Sequence, residues 1–142
     1  MTSDPVSLEI PCRPEYVALC RLVAGSVGLR EGLAEDVVAD LKVIVTEACN
    51  CFLALAGGAA AIADAPPPGV CSLRMEFDPR PDRFVISVFY PEERSLLSWL
   101  EDRDPVCQAG LGLTILKALT DEMAESAAGD ATVLRLTKRL TA

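Results

Sequence analysis

No histidine occurs anywhere in this sequence. Any mechanism that needs an imidazole as acid, base or metal ligand is thereby excluded. Basic residues are also short: 13 Lys and Arg stand against 21 Asp and Glu, a net charge of −8. Such a chain is poorly suited to neutralising phosphates, so direct nucleic-acid binding is not expected. A basic or mixed-charge protein surface is the better electrostatic match. No run approaches the ~20 apolar residues of a membrane span, so no membrane association is expected. Met1-Thr2-Ser3-Asp4-Pro5 carries neither a basic region nor an apolar run, which argues against export and for the cytoplasm. The six cysteines (Cys12, Cys20, Cys49, Cys51, Cys71, Cys107) include no C-x-x-C pair. No metal site is expected from them, and in a cytoplasmic chain they read as small buried apolar side chains. Glycine is missing between Gly69 and Gly110.

What is present is apolar: 51% of the 142 residues. That suits a single globular domain over residues 1–142 with one real core. Val6–Pro11 alternates as a short strand. Glu15–Val27 has helical apolar spacing, with Pro14 tolerated at its start and Gly28 as its expected stop. Arg21 on this helix is expected to be exposed. Leu29–Ala34 connects to a long helix over Glu35–Ala56, whose apolar stripe runs from Val37 or Val38 through Leu41, Ala48 and Phe52 to Leu55. Its polar stripe holds Asp40, Glu47 and Asn50 with Cys51. Glu47 and Cys51 are one turn apart and share a face. Glu47 either points to water or is buried for a reason, because burying a charge is costly.

Gly57–Gly69 is small, proline-rich and breaker-rich, a flexible connection. Val70–Asp78 and Arg83–Tyr90 read as an antiparallel hairpin around Pro79-Arg80-Pro81-Asp82. Glu92–Gln108 is charged and irregular, with an amphipathic piece at Leu96–Leu100 in which Trp99 is expected to pack on the core or a lid. Gly110-Leu111-Gly112 then opens an apolar helix, Leu111–Met123, that runs into Asp121 and Glu122. Glycines ahead of a helix leave amides uncovered for an anion, and a tight approach into a buried helix explains them equally well. Ala127–Asp130 turns the chain into a last strand, Ala131–Leu140. The sum is an α+β fold, a two-layer sandwich with helices on one face of a mainly antiparallel sheet.

This order, with Thr46-Glu47-Ala48-Cys49-Asn50, Gly110-Leu111-Gly112-Leu113 through Asp121-Glu122, and Thr132-Val133, resembles the RsbW/SpoIIAB-type anti-sigma factors. These are serine protein kinases of the histidine-kinase-like ATPase (GHKL, Bergerat) fold. The resemblance implies Glu47 as the catalytic carboxylate that activates a serine hydroxyl or a water. It implies Gly110 and Gly112 beside the nucleotide phosphates, Thr132 near the adenine, and Arg21 as a contact for the sigma factor and the anti-anti-sigma (STAS-type) protein. It also implies ATP and Mg²⁺ as cofactors, and a second copy of the chain as a further partner, since the family forms homodimers.

Two departures stand beside these matches. Where the family has its Mg²⁺-holding Asn, one turn after the Glu, this chain has Cys51. A thiol is a soft ligand where Mg²⁺ requires hard oxygens, and Asn50 is a neighbouring substitute rotated off that direction. Where the family has Asp-x-Gly-x-Gly, this chain has Tyr90-Pro91-Glu92-Glu93-Arg94. The expectation is an anti-sigma regulatory factor acting in partner switching with weak or absent ATP binding. The alternative is an active serine protein kinase that phosphorylates an anti-anti-sigma factor with Mg·ATP.

Overall fold

A computed structural model describes residues 4–63 and 72–140, and for 58–63 the helical path alone. The elements are β1 (Val6–Pro11), α1 (Val17–Arg30), α2 (Glu35–Ala63), β2 (Ser72–Pro79), β3 (Arg83–Tyr90), α3 (Leu96–Glu101), α4 (Gln108–Leu119), β4 (Glu122–Ala128) and β5 (Ala131–Arg139), with a 3-10 turn at Pro14–Tyr16. All five strands pair antiparallel in the order β1-β2-β3-β5-β4.

Strand alternation decides which side chains face the helices. Leu73, Met75 and Phe77 of β2, Phe84, Ile86, Val88 and Tyr90 of β3, and Leu134 and Leu136 of β5 are buried. The helices meet them with Cys20 and Ala24 of α1, Leu41, Ile44, Ala48 and Phe52 of α2, and Leu113 and Leu116 of α4. The result is the expected two-layer α+β sandwich, held mainly by burial of these side chains.

Several boundaries differ from the sequence reading, each for a local reason. Helix α1 passes Gly28 and ends at Arg30. Its terminator is Gly32, with φ +70°. Leu33 N–H donates to Gly28 O at 3.1 Å and Gly32 N–H to Leu29 O at 3.0 Å, the paired closure that favours glycine. Gly28 instead admits Val38, whose Cγ2 lies 3.0 Å from where a Cβ would stand. Helix α2 continues through Gly57 to Ala63, so the connection begins later than Gly57. Residues 64–71, with Cys71 and the start of the expected Val70 strand, lie outside the described residues.

The largest difference is at the end of α4. The helix stops at Leu119, and Glu122–Ala128 is a strand that pairs along its length with β5. Thr120 takes extended backbone (φ −107°, ψ 150°), and Asp121 N–H already donates to Thr137 O at 2.8 Å. Glu-Met-Ala-Glu-Ser-Ala-Ala favours helix locally, and the open edge of β5 overrides that preference. At its other end α4 starts at Gln108, so Gly110 and Gly112 lie inside the first turns of the helix and not in a loop before it.

Cys20, Cys49 and Cys51 are free and buried, as expected. Cys49 Sγ rests 3.7 Å from Met75 Sδ in the core. Two cysteines depart from expectation. Cys107 is exposed at the start of α4, where its sulfur accepts from Gly110 N–H at 3.4 Å. Cys12 is buried but disulfide-bonded.

Candidate functional site: the contact between the second and fourth helices

Helix α4 lies against α2, and Gly112 faces the candidate carboxylate. A Cβ on Gly112 would stand 3.0 Å from Cys51 Sγ and 3.1 Å from Glu47 Oε2. The glycine therefore lets α4 settle onto the polar stripe of α2. Gly110 faces elsewhere: its Cβ position falls on the backbone of Asp104 and Pro105. Each glycine thus has a packing reason, whatever else it does.

Glu47, Asn50 and Cys51 line one small cleft with Pro14, Leu53, Ala54, Gln108 and Ala109. Its volume is about 60 Å³, room for a few waters and well below the roughly 300–1,000 Å³ of small-molecule sites. Glu47 is half-buried, and burial raises its pKa above the ordinary carboxylate value. Cys51 is pushed up to about 12, first by burial and then by the Glu47 charge. It is a neutral thiol at physiological pH, 4.0 Å from Ala109 O. Such a group suits Mg²⁺ poorly, and the side chains in the lining that carry hard oxygens are the Glu47 carboxylate and the Asn50 and Gln108 amides.

Thr132 sits apart from this cleft, on β5 opposite Tyr90. Its hydroxyl donates to Glu92 O at 2.7 Å and accepts from Arg94 N–H at 3.1 Å. Arg94 in turn reaches across to α2, where Nη1 donates to Leu55 O at 3.1 Å. Glu125 Oε2 on β4 accepts the amides of Leu96 and Leu97 at 2.7 and 3.1 Å, a carboxylate on the exposed N–H groups that open α3. The stretch from Glu92 to Leu97 is therefore tied to β5, α2 and β4 at once. Nothing in the sequence reading singled out Arg94 or Glu125. Their roles depend on elements brought together from far apart in the chain.

Tyr90, at the end of β3, is buried. Its ring centroid lies 5.2 Å from that of Phe52 on α2, tilted by 32°. Its hydroxyl donates to Glu92 Oε2 at 3.0 Å. Burial, then the Glu92 carboxylate, pushes its pKa up to about 12. A wider hollow of about 430 Å³ lies beyond, lined by Glu93, Arg94, Ser95, Glu125, Ser126, Ala127 and Thr132. Its two carboxylates disfavour a triphosphate.

Arg21 is exposed on α1, as expected. Its Nη1 lies 3.5 Å from Thr46 Oγ1, the residue before Glu47. Trp99 is half-buried against the core, with the Arg103 guanidinium 4.8 Å from its ring centroid, which fits the expected packing role. Among the described residues no helix is long and apolar enough to cross a membrane, and no cluster of three or more Cys, Asp or Glu is placed to hold a metal.

A helical layer on an antiparallel sheet, with a carboxylate on the long helix facing a glycine-bearing helix, defines the class. The chain belongs to the histidine kinase-like ATPase domain family, which matches residues 10–138. It is similar to the serine-protein kinase RsbW of Bacillus subtilis, 40% identical over 48 residues, which are 34% of this chain and 30% of that protein. RsbW of Bacillus velezensis is 43% identical over 47 residues, 33% of this chain and 29% of that protein. The matched stretch thus spans less than a third of these curated relatives. A chain in the crystal structure of the SiaB–SiaC complex from Pseudomonas aeruginosa shares the fold, with a TM-score of 0.62 at 16% identity, over 95% of this chain and 88% of that one. The resemblance to RsbW-type anti-sigma kinases, read from Glu47 and the Gly110–Glu122 stretch, is borne out.

Proposed function

We propose that the chain is an anti-sigma regulatory factor of the partner-switching kind. In this reading it is a cytoplasmic, one-domain protein that binds a sigma factor, an anti-anti-sigma (STAS-type) protein or both, and binds ATP weakly or not at all. The observation that carries the reading is the seat of Tyr90 against Phe52, with Glu92–Leu97 bonded to Thr132, Leu55 and Glu125. An adenine ring would have to displace a buried aromatic and break those bonds. The small α2–α4 cleft and the neutral Cys51 thiol support the same reading from the Mg²⁺ side. Calorimetry with ATP, with and without Mg²⁺, tests it. No saturable heat is expected, and tight Mg²⁺-dependent binding overturns it.

A second reading is an active serine protein kinase, with Glu47 accepting the proton of a partner's serine. The half-buried carboxylate with its raised pKa favours it, since a general base works best near the operating pH. It requires ATP binding and partner phosphorylation, with phosphorylation lost in Glu47→Gln. A second copy of the chain is a further proposed partner. Leu22 and Leu29 on α1 are 65% and 68% exposed, and β1 is an edge strand. Sedimentation equilibrium reads this directly.

A further inference from the structure

The helices cover one face of the sheet. The other face carries a hollow of about 840 Å³ between the β2–β3 turn and the end of β5. Strand alternation and register give its shape. On β5 the side chains of Arg135, Thr137 and Arg139 point away from Leu134 and Leu136, which are buried against the helices. Arg83 of β3 pairs in register with Arg139, and Val85 with Thr137. Val85 and Thr137 are short and make the floor, while the long arginine stems stand around it as walls. The volume falls within the roughly 300–1,000 Å³ of small-molecule sites.

Four arginines and three carboxylates line the hollow. Three of the arginines are matched: Arg80 with Asp78 at 3.0 Å, Arg83 with Asp82 at 3.1 Å and Arg139 with Glu122 at 3.4 Å. Arg135 is exposed, and its guanidinium makes no ion pair or hydrogen bond among the described residues. The register explains why. Its direct cross-strand neighbours are Ser87 on β3 and Ala124 on β4, neither of which carries a charge. The next acid along that row, Glu76, is bonded to Arg74 at 2.8 Å. A chain with 21 Asp and Glu thus leaves one guanidinium bare over a floor wide enough for a ligand. The hollow beside Thr132 has the opposite balance, two carboxylates to one arginine.

We infer that this hollow is a binding site for a small organic acid whose carboxylate is held by Arg135. A guanidinium offers two parallel N–H donors that match a carboxylate in one plane. The charge balance sets the class of ligand. With three arginines neutralised by their own acids, one positive charge is left over. One carboxylate cancels it, whereas a phosphate dianion overshoots it beside three carboxylates. Asp78, Asp82 and Glu122 accept hydrogen bonds, so a hydroxyl or amino group on the body of the ligand finds a partner. Val85 and Leu140 add apolar contact. The site lies on the far side of the sheet from Glu47 and Tyr90 and stands independently of the partner-binding and nucleotide readings.

Lactate, a hydroxy acid, is the probe, beside its neutral twin lactamide and inorganic phosphate. Titrated at constant ionic strength into the isotopically labelled protein, lactate should shift the amides of Arg83, Arg135 and Thr137 along one saturating curve, in the millimolar range that suits so small a probe. Lactamide should leave them in place. Arg135→Gln should weaken binding roughly tenfold, the scale of one lost charge-assisted hydrogen bond. Its melting temperature should be little changed, because the side chain is exposed and unpaired. Arg135→Lys keeps the charge without the fork and should fall between the two. Glu122→Gln removes one carboxylate from the lining and should tighten binding roughly twofold. Equal binding of lactamide, an unaffected Arg135→Gln, or phosphate binding more tightly than lactate would overturn the proposal. So would shifts at Arg135 that grow with protein concentration alone, which would assign this face to a second copy of the chain.

Discussion

The Tyr90 ring of β3 lies 5.2 Å from the Phe52 ring of α2, and the Tyr90 hydroxyl is bonded to Glu92 two residues on. Sheet, long helix and the Pro91–Arg94 segment therefore meet on one buried aromatic. Tyr90→Phe removes only the bond to Glu92 and should cost about 0.5–1.5 kcal/mol. Tyr90→Ala removes the ring and should cost about 3–5 kcal/mol. Urea unfolding of the two variants separates these contributions. Equal losses would mean that the hydroxyl, and not the ring, holds the segment.

Gly110 and Gly112 stand two residues apart on α4 and should respond differently to the same methyl group. At Gly110 the added Cβ would stand on the Asp104 carbonyl, which is backbone and cannot turn aside. At Gly112 it meets the ends of the Cys51 and Glu47 side chains at 3.0 and 3.1 Å. Overpacking costs about 1–3 kcal/mol, while alanine in place of glycine inside a helix returns about 1 kcal/mol. Gly110→Ala should therefore be clearly destabilising and Gly112→Ala close to neutral, as read by thermal melts. The reverse order would mean that the α2–α4 contact is the tighter one.

Thr132→Val keeps the shape of the side chain and removes the hydroxyl that joins Glu92 to Arg94. The variant should lose about 1–2 kcal/mol. Exchange of the Arg94 amide hydrogen should speed up, because that amide loses its acceptor. An unchanged exchange rate at Arg94 would mean that the Leu55 and Glu125 bonds suffice to hold the segment.

Burial raises the pKa of Glu47 in the folded chain. The folded state then binds this proton more tightly than the unfolded state does. The linked stability is fully present below the unfolded value, 4.5, and is lost as pH rises through the folded value. Glu47→Gln removes the titration. The variant should gain stability relative to the parent at neutral pH, and the gain should shrink toward acid pH. A difference independent of pH, in paired denaturant curves at acid and neutral pH, would show that Glu47 is not desolvated in the fold.

Much of the architecture was legible before any coordinates. Alternation in Val6–Pro11 and Arg83–Tyr90 marked two strands at their observed bounds. The stripe from Leu41 to Phe52 marked the helix that carries Glu47. The absence of glycine between Gly69 and Gly110, and a cysteine one turn after Glu47, were visible in the letters alone. These are local properties: a period of two or of 3.6, or a residue type at a fixed spacing.

What the letters did not hold is what depends on a distant neighbour. Glu122–Ala128 favours a helix in isolation and became a strand because β5 offered it an open edge. Gly110 and Gly112 looked like one motif, and packing split them between Asp104 on one side and the Cys51–Glu47 pair on the other. The sequence by itself determined the α+β layering, the family and the lack of any histidine, because these follow from short-range pattern and composition. Only the tertiary structure decided that Tyr90 closes on Phe52, that Thr132 holds Arg94, and that Lys42 lies in the notch at Gly25. Each of those contacts joins residues at least 17 apart in the chain, and their geometry exists only once the helices have closed on the sheet.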